Sequence, residues 1–152
     1  MTADITPYAD VTYSDTYNAT FIGRESWDTE PTSNKTKYLK MATRSIDRLN
    51  FAGEKASSAQ ELQFPRGADT AVPDDIQQAC VELAFSLFDG VDPEIENENL
   101  RSISQGVGAA RVTYSQAVFA DHIAAGVPSL RAWHLLVPYL RDPDELTISR
   151  VS

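Results

Sequence analysis

The sequence predicts a mainly α-helical fold, a small bundle of about four to five helices with one β-hairpin and an extended C-terminal tail. Apolar residues recur at helical spacing in two long stretches, from Tyr38 to Leu49 and from Ile76 to Phe88. Glycine and proline fall between these stretches rather than inside them. Within residues 1–140, the segment near residues 100–115 alternates with the period of two that paired strands require. A chain of 152 residues, 42% hydrophobic and 23% charged, holds material for one modest core. Residues 1–140 are expected to form the domain and residues 141–152 its extension.

The first helix is expected from Ser14-Asp15 to about Ile22, with Tyr17 and Phe21 on one face and Gly23 to end it. Trp27 then stands beside a run of turn and cap residues, Asp28-Thr29-Glu30-Pro31-Thr32-Ser33-Asn34, and reads as a loop residue. A strong helix follows from about Ser33 to Asn50. Tyr38, Ala42, Ile46 and Leu49 make its apolar stripe, and Lys35, Lys37, Lys40, Arg44 and Arg48 its polar remainder. Phe51 to Val72 reads as loop.

Pro73 opens the clearest helix, at the first turn where its missing N–H costs nothing, and Asp74-Asp75 complement the positive helix end. Ile76, Ala79, Cys80, Leu83, Ala84, Leu87 and Phe88 follow at i, i+3, i+4, i+7, i+8, i+11 and i+12, one continuous face. Gly90 and Asp92-Pro93 end it, and residues 93–99 read as an acidic loop. Leu100 to Gln105, the turn Gly106-Val107-Gly108, and Arg111 to Tyr114 read as the hairpin. A short helix from Gln116 to Ala125 is expected to end at Gly126. Pro128-Ser129 opens the last helix, with Leu130, Trp133, His134, Val137 and Leu140 on one stripe and Pro138 distorting the last turn. In the tail, Leu146 to Val151 alternate as a strand would. They read either as a segment that docks on another chain or as a frayed end.

The stretch Met1 to Asp10 has neither the basic nor the apolar region of a secretory signal, and no run approaches the roughly 18 apolar residues of a membrane helix. The expectation is a soluble protein made in a cytoplasm, with no membrane partner. A net charge of −9 opposes generic nucleic-acid coating, which draws on clustered Lys and Arg. The charge is also segregated: residues 1–30 carry −5, 31–68 carry +4, 69–100 carry −9 and 101–152 carry +1. Two readings follow. Identical subunits could pack side by side, Lys35, Lys37, Lys40, Arg44 and Arg48 of one meeting Asp89, Asp92, Glu94, Glu96 and Glu98 of the next. Alternatively both are solvated faces.

No catalytic or metal signature stands out. Cys80, the only cysteine, falls on an apolar stripe and reads as a small core residue rather than a nucleophile. His122, beside Asp121, reads as part of a surface pair, and His134 as a packed core or interface residue; neither has a second ligand at metal spacing. The acidic cluster from Asp89 to Glu98 lacks the order of a calcium loop, and Gly106-Val107-Gly108 lacks the Lys-Ser/Thr of a phosphate loop. The expectation is a protein without enzymatic activity, catalytic residues, metal or cofactor.

The order of features resembles a known family. Tyr13-Ser14-Asp15-Thr16-Tyr17 precedes Trp27; Ala42-Thr43-Arg44-Ser45-Ile46-Asp47-Arg48-Leu49 is followed by Phe51 and Gly53; then comes the aromatic-Pro-Arg element Phe64-Pro65-Arg66. Val72-Pro73, the hairpin from Ser102 to Tyr114 and Leu135-Leu136-Val137-Pro138-Tyr139-Leu140 complete the set. Together they look like the small head-to-tail connector, or adaptor, proteins of tailed phages, some of which carry the label DnaT-like single-stranded-DNA-binding protein. The resemblance covers roughly residues 11–140, with Phe64 where the family more often has Trp and a different tail beyond Asp142. It implies a structural virion protein that forms a ring of about twelve copies under the portal protein. Such a ring extends the DNA channel, passes the genomic duplex without sequence-specific binding, and gives tail and nozzle proteins a platform. It also implies a portal-binding role for the tail residues Leu146, Ile148, Arg150 and Val151. Two rival classes are a single-stranded-DNA-binding module on the basic helix and a small regulatory protein with helical partners.

Overall fold

A computed structural model of the chain describes residues 2–92, 94–95, 98 and 121–141. Among them the fold is mainly helical: α1 (Val11–Asn18), α2 (Glu25–Thr29), α3 (Thr32–Asp47), α4 (Asp74–Phe88), α5 (Asp121–Ala124) and α6 (Leu130–Leu136), closed by a 3-10 turn over Val137–Tyr139. The expected hairpin, and the tail from residue 142 on, lie outside the described residues.

Asp10 sets where α1 begins. Its carboxylate accepts the Tyr13 N–H at 2.7 Å, which starts the helix three residues ahead of the expected Ser14. The helix also stops earlier, at Asn18, and Thr20 and Phe21 turn the chain through N–H bonds to Tyr17 and Asn18 carbonyls. Trp27, expected in a loop, sits inside α2 and is wholly buried. The polar neighbours that suggested a loop, Ser26, Asp28 and Thr29, face solvent, so the indole is the one inward residue of that turn. Tyr38, Phe85 and Phe88 surround it at ring separations of 6.3, 6.5 and 5.4 Å, and Asp15 accepts its Nε1–H at 3.1 Å.

The core face of α3 is Leu39, Ala42, Thr43 and Ile46, all fully buried, with Tyr38 and Leu49 half-buried beside it. The expected stripe is therefore rotated slightly toward Leu39 and Thr43. Thr43 Oγ1 bonds the Leu39 carbonyl at 2.8 Å and accepts the Tyr8 N–H at 3.0 Å, which ties the N-terminal segment across the helix. α4 lies at the centre, packed on α1, α3 and α6. Ile76, Ala79, Cys80, Leu83 and Ala84 are fully buried as the spacing predicts, each large aliphatic one worth about 1.5–3 kcal/mol. Val81 and Glu82 are buried as well, so the helix is enclosed on more sides than one stripe implies. Gly90, at φ 91°, closes it by donating to the Leu87 carbonyl at 3.1 Å.

Phe51 to Val72 is irregular, as expected, but ordered by Arg66, whose guanidinium donates to the carbonyls of Phe51, Ala52, Gly53 and Gln63. Isolated antiparallel bridges join Phe51 to Leu140 and Lys55 to Arg66. The peptide Phe64-Pro65 is cis, and the Phe64 ring packs against Tyr8, Phe51 and Tyr139. Ser129 caps α6 by accepting the Ala132 N–H at 3.2 Å, and Pro138 falls in the 3-10 turn that replaces its last turn. The face of α6 turned inward is Ala132 and Leu136. Leu130, His134 and Val137 are exposed, so of the two readings of His134, core or interface residue, exposure removes the first.

Four tyrosine hydroxyls donate to carboxylates: Tyr8 to Asp47 at 2.5 Å, Tyr13 to Asp74 at 2.7 Å, Tyr17 to Glu82 at 2.8 Å and Tyr139 to Asp75 at 3.1 Å. Each joins segments that are 39 to 65 residues apart in the chain. Glu82 also takes an ion pair from buried Arg24 at 2.7 Å, and Arg24 reaches Asn18 Oδ1 at 3.0 Å.

Candidate functional site

The face of α3 turned away from the core carries Lys37, Met41, Arg44 and Arg48, spaced i, i+4, i+7 and i+11 and therefore stacked along one line. Lys37, Met41 and Arg48 are exposed and Arg44 is half-exposed. Arg44 Nη2 donates to the Ala3 carbonyl at 2.6 Å, and Lys40 pairs with Asp4 at 2.5 Å, which lowers the Asp4 pKa. Both contacts draw the N-terminal segment along the rim of the helix. Lys37 and Arg48 have no ion pair among the described residues. Lys35, expected on the same polar face, points the other way. It is buried, with its ammonium 2.8 Å from Asp15 and 5.8 Å from the Trp27 ring centre, so it serves the core rather than a surface.

The packing of α3 on α4 brings the end of α4 alongside this stripe. A groove of about 390 Å³ is lined by Met41, Arg44, Ser45 and Arg48 on one wall and by Leu87, Asp92 and Glu94 on the other. It runs into a hollow of about 320 Å³ between Met41, Leu87, Gly90, Val91 and Asp92. Asp89, Asp92, Glu94 and Glu98 are exposed, and Glu96 lies outside the described residues, as do Leu146, Ile148, Arg150 and Val151. Of the expected basic and acidic faces, Arg44 and Arg48 on one side and Asp92 and Glu94 on the other thus border one groove. Of its apolar floor, Leu87 was expected on the core stripe of α4 and is half-buried, whereas Met41 was not singled out from the sequence, though it stands midway along the Lys37–Arg48 line.

Every aromatic side chain among the described residues is buried or half-buried. Tyr38, the ring nearest the basic stripe in sequence, is packed on Trp27 and Phe88 at 6.3 and 5.8 Å. Cys80 lies wholly inside, 3.4 Å from Thr43 Oγ1, and burial pushes its thiol up to about 11. That is the environment of a packed thiol, not of an activated nucleophile. No group of three or more His, Cys, Asp or Glu side chains among the described residues is arranged to hold a metal ion, and no described helix is long and apolar enough to cross a membrane.

The model of the family described as "Putative DnaT-like ssDNA binding protein" matches residues 1–150. The chain belongs to this family. No curated protein and no solved structure matches it. Within the DnaT-like family match, the basic stripe and the acidic wall of the groove both fall inside the matched span.

Proposed function

We propose that this DnaT-like family member is a non-enzymatic structural subunit of a tailed-phage particle, a head-to-tail connector. Copies pack side by side into a ring of about twelve beneath the portal protein. The ring extends the channel through which genomic double-stranded DNA passes without sequence-specific binding, and tail and nozzle proteins attach below it. The subunit is made in the host cytoplasm and resides at the head–tail interface of the virion. The segment carrying Leu146, Ile148, Arg150 and Val151 reaches the portal.

The observation that carries this reading is the make-up of the α3 edge. Cations, an exposed methionine and carboxylates line one groove, with no exposed ring beside them among the described residues. Mixed charge around an apolar floor suits contact with another folded protein. The net charge of −9 suits a lining that repels DNA rather than a surface that holds it. The resemblance of the sequence elements to those of connectors supports the same reading.

Single-stranded DNA binding is the second reading, favoured by the words of the family description. Lys37, Arg44 and Arg48 would then be the phosphate contacts, and stacking would fall to rings outside the described residues.

Negative-stain electron microscopy and mass measurement of the purified chain, alone and with the portal protein of its particle, separate the two. A ring added to the portal is expected. A monomer or dimer that ignores the portal and shifts labelled single-stranded DNA at modest salt overturns the connector reading.

A further inference from the structure

A closed ring joins unlike surfaces head to tail, so each subunit needs two different patches that fit each other. The hollow between Met41, Leu87 and Val91 is one of them. The other lies across the molecule. Ile22 is fully exposed at the tip of the turn between α1 and α2, which Gly23 closes at φ 88°. Phe21 beside it is held by the guanidinium of Arg24 at 4.0 Å and that of Arg131 at 5.2 Å, so packing fixes the tip in place. Leu130, adjoining Arg131, is exposed too.

The two patches face apart. On α4, Phe85 meets Arg24 at 4.6 Å on the side of the tip, whereas Leu87 lines the hollow. Two residues along a helix turn through about 200°. Their charges also match. Glu25, which accepts the Gly23 N–H at 3.3 Å, stands at the tip with exposed Asp28 three residues on along α2, while Arg44 and Arg48 flank the groove. On the other side Arg131 at the tip would meet Asp92 and Glu94. We infer that Ile22 of one copy seats in the Met41–Leu87–Val91 hollow of the next, and that this contact repeats around the ring. The inference rests on the connector reading and specifies its subunit contact.

Cysteine cross-linking of the full chain tests it, with native Cys80 shielded in the core. Ile22→Cys, Met41→Cys and the double variant are treated with diamide, at high concentration and mixed with the portal protein. Diamide is reduced as it takes up the two thiol hydrogens. The double variant is expected to give a ladder of covalent multimers, the two single variants mixed together only dimers, and each single variant alone none. Ile22→Asp is expected to weaken subunit association roughly 10- to 100-fold per contact, with an unchanged unfolding midpoint. Rings seen by microscopy without the ladder, or rings formed equally well by Ile22→Asp, overturn this contact and leave the connector reading standing. Ile22→Cys chains that link to one another overturn it in favour of a two-fold dimer. A chain that stays monomeric even with the portal overturns the connector reading, and the contact with it.

Discussion

Replacing Glu82 with Gln changes one atom in the most enclosed ion pair among the described residues. The Glu82 side chain is 3% exposed and takes a 2.7 Å bond from Arg24 and a 2.8 Å bond from the Tyr17 hydroxyl. Arg24 is 8% exposed, and its guanidinium sits 4.0 Å from the Phe21 ring centre and 4.6 Å from that of Phe85. Beyond Glu82, its polar partner is Asn18 Oδ1 at 3.0 Å. The amide keeps the size and the acceptor for Tyr17 but leaves a buried cation without its counter-charge. Breaking a buried pair from one side costs about 3–5 kcal/mol, a large share of the about 5–15 kcal/mol that holds a domain folded. Arg24→Met is expected to cost a similar amount. The double variant Arg24→Met/Glu82→Gln, with no charge left to strand, should cost less than the two together by about 2–3 kcal/mol. Urea unfolding followed by the fluorescence of buried Trp27 reads each corner of the cycle. A loss below about 1 kcal/mol for Glu82→Gln, or single losses that simply add, would refute the view of Arg24 and Glu82 as one coupled unit.

Three further outcomes are expected. Thr43→Val keeps the shape but leaves the buried Tyr8 N–H without its 3.0 Å acceptor, so it should cost about 1–3 kcal/mol and speed hydrogen exchange at Tyr8; unchanged exchange there contradicts the tie. Burial pushes the Cys80 thiol up to about 11, and burial with the Asp74 hydrogen bond pushes Tyr13 up to about 12. The unfolded chain therefore releases these protons first, and stability should fall as pH rises from about 9, with Cys80 contributing about 2 kcal/mol of the loss by pH 11; urea midpoints of Cys80→Ala that fall just as steeply would remove its share. Removing residues 142–152 keeps the Arg141 N–H bond to the Asn50 carbonyl at 2.9 Å. The unfolding midpoint should hold while co-sedimentation with the portal is lost, and a shortened chain that still binds the portal ends the docking role of the tail.

The sequence made α4 plain because its core residues repeat at helical spacing between Pro73 and Gly90. It did not show that Glu82 is buried, since the partner that makes this tolerable, Arg24, stands 58 residues away. Trp27 was hidden by its neighbours: four polar residues around one inward indole look like a loop to any local pattern. Lys35 misled in the opposite sense, because a lysine on a helix normally seeks solvent, and only the position of Asp15 turns it inward. His134 and Val137 fit an apolar stripe in sequence, yet the short α6 presents Ala132 and Leu136 to the core. For the candidate site, the basic residues were legible one by one. Their nearness to Asp92 and Glu94 was not, because it arises from how α3 and α4 pack.

The four tyrosine–carboxylate bonds would give the fold and the proposed assembly different responses to ionic strength. A phenol is a neutral donor, so the bonds it makes to Asp47, Asp74, Glu82 and Asp75 carry little net charge attraction for dissolved ions to screen, and the Arg24–Glu82 ion pair is buried away from them. The proposed contact between copies instead rings its apolar Ile22 seat with exposed Arg48, Asp92 and Glu94, whose charge attractions added salt weakens within a Debye length of about 8–10 Å. Concentrated counterions, such as accompany tightly packed DNA, would then loosen the joints between subunits while each subunit keeps its shape.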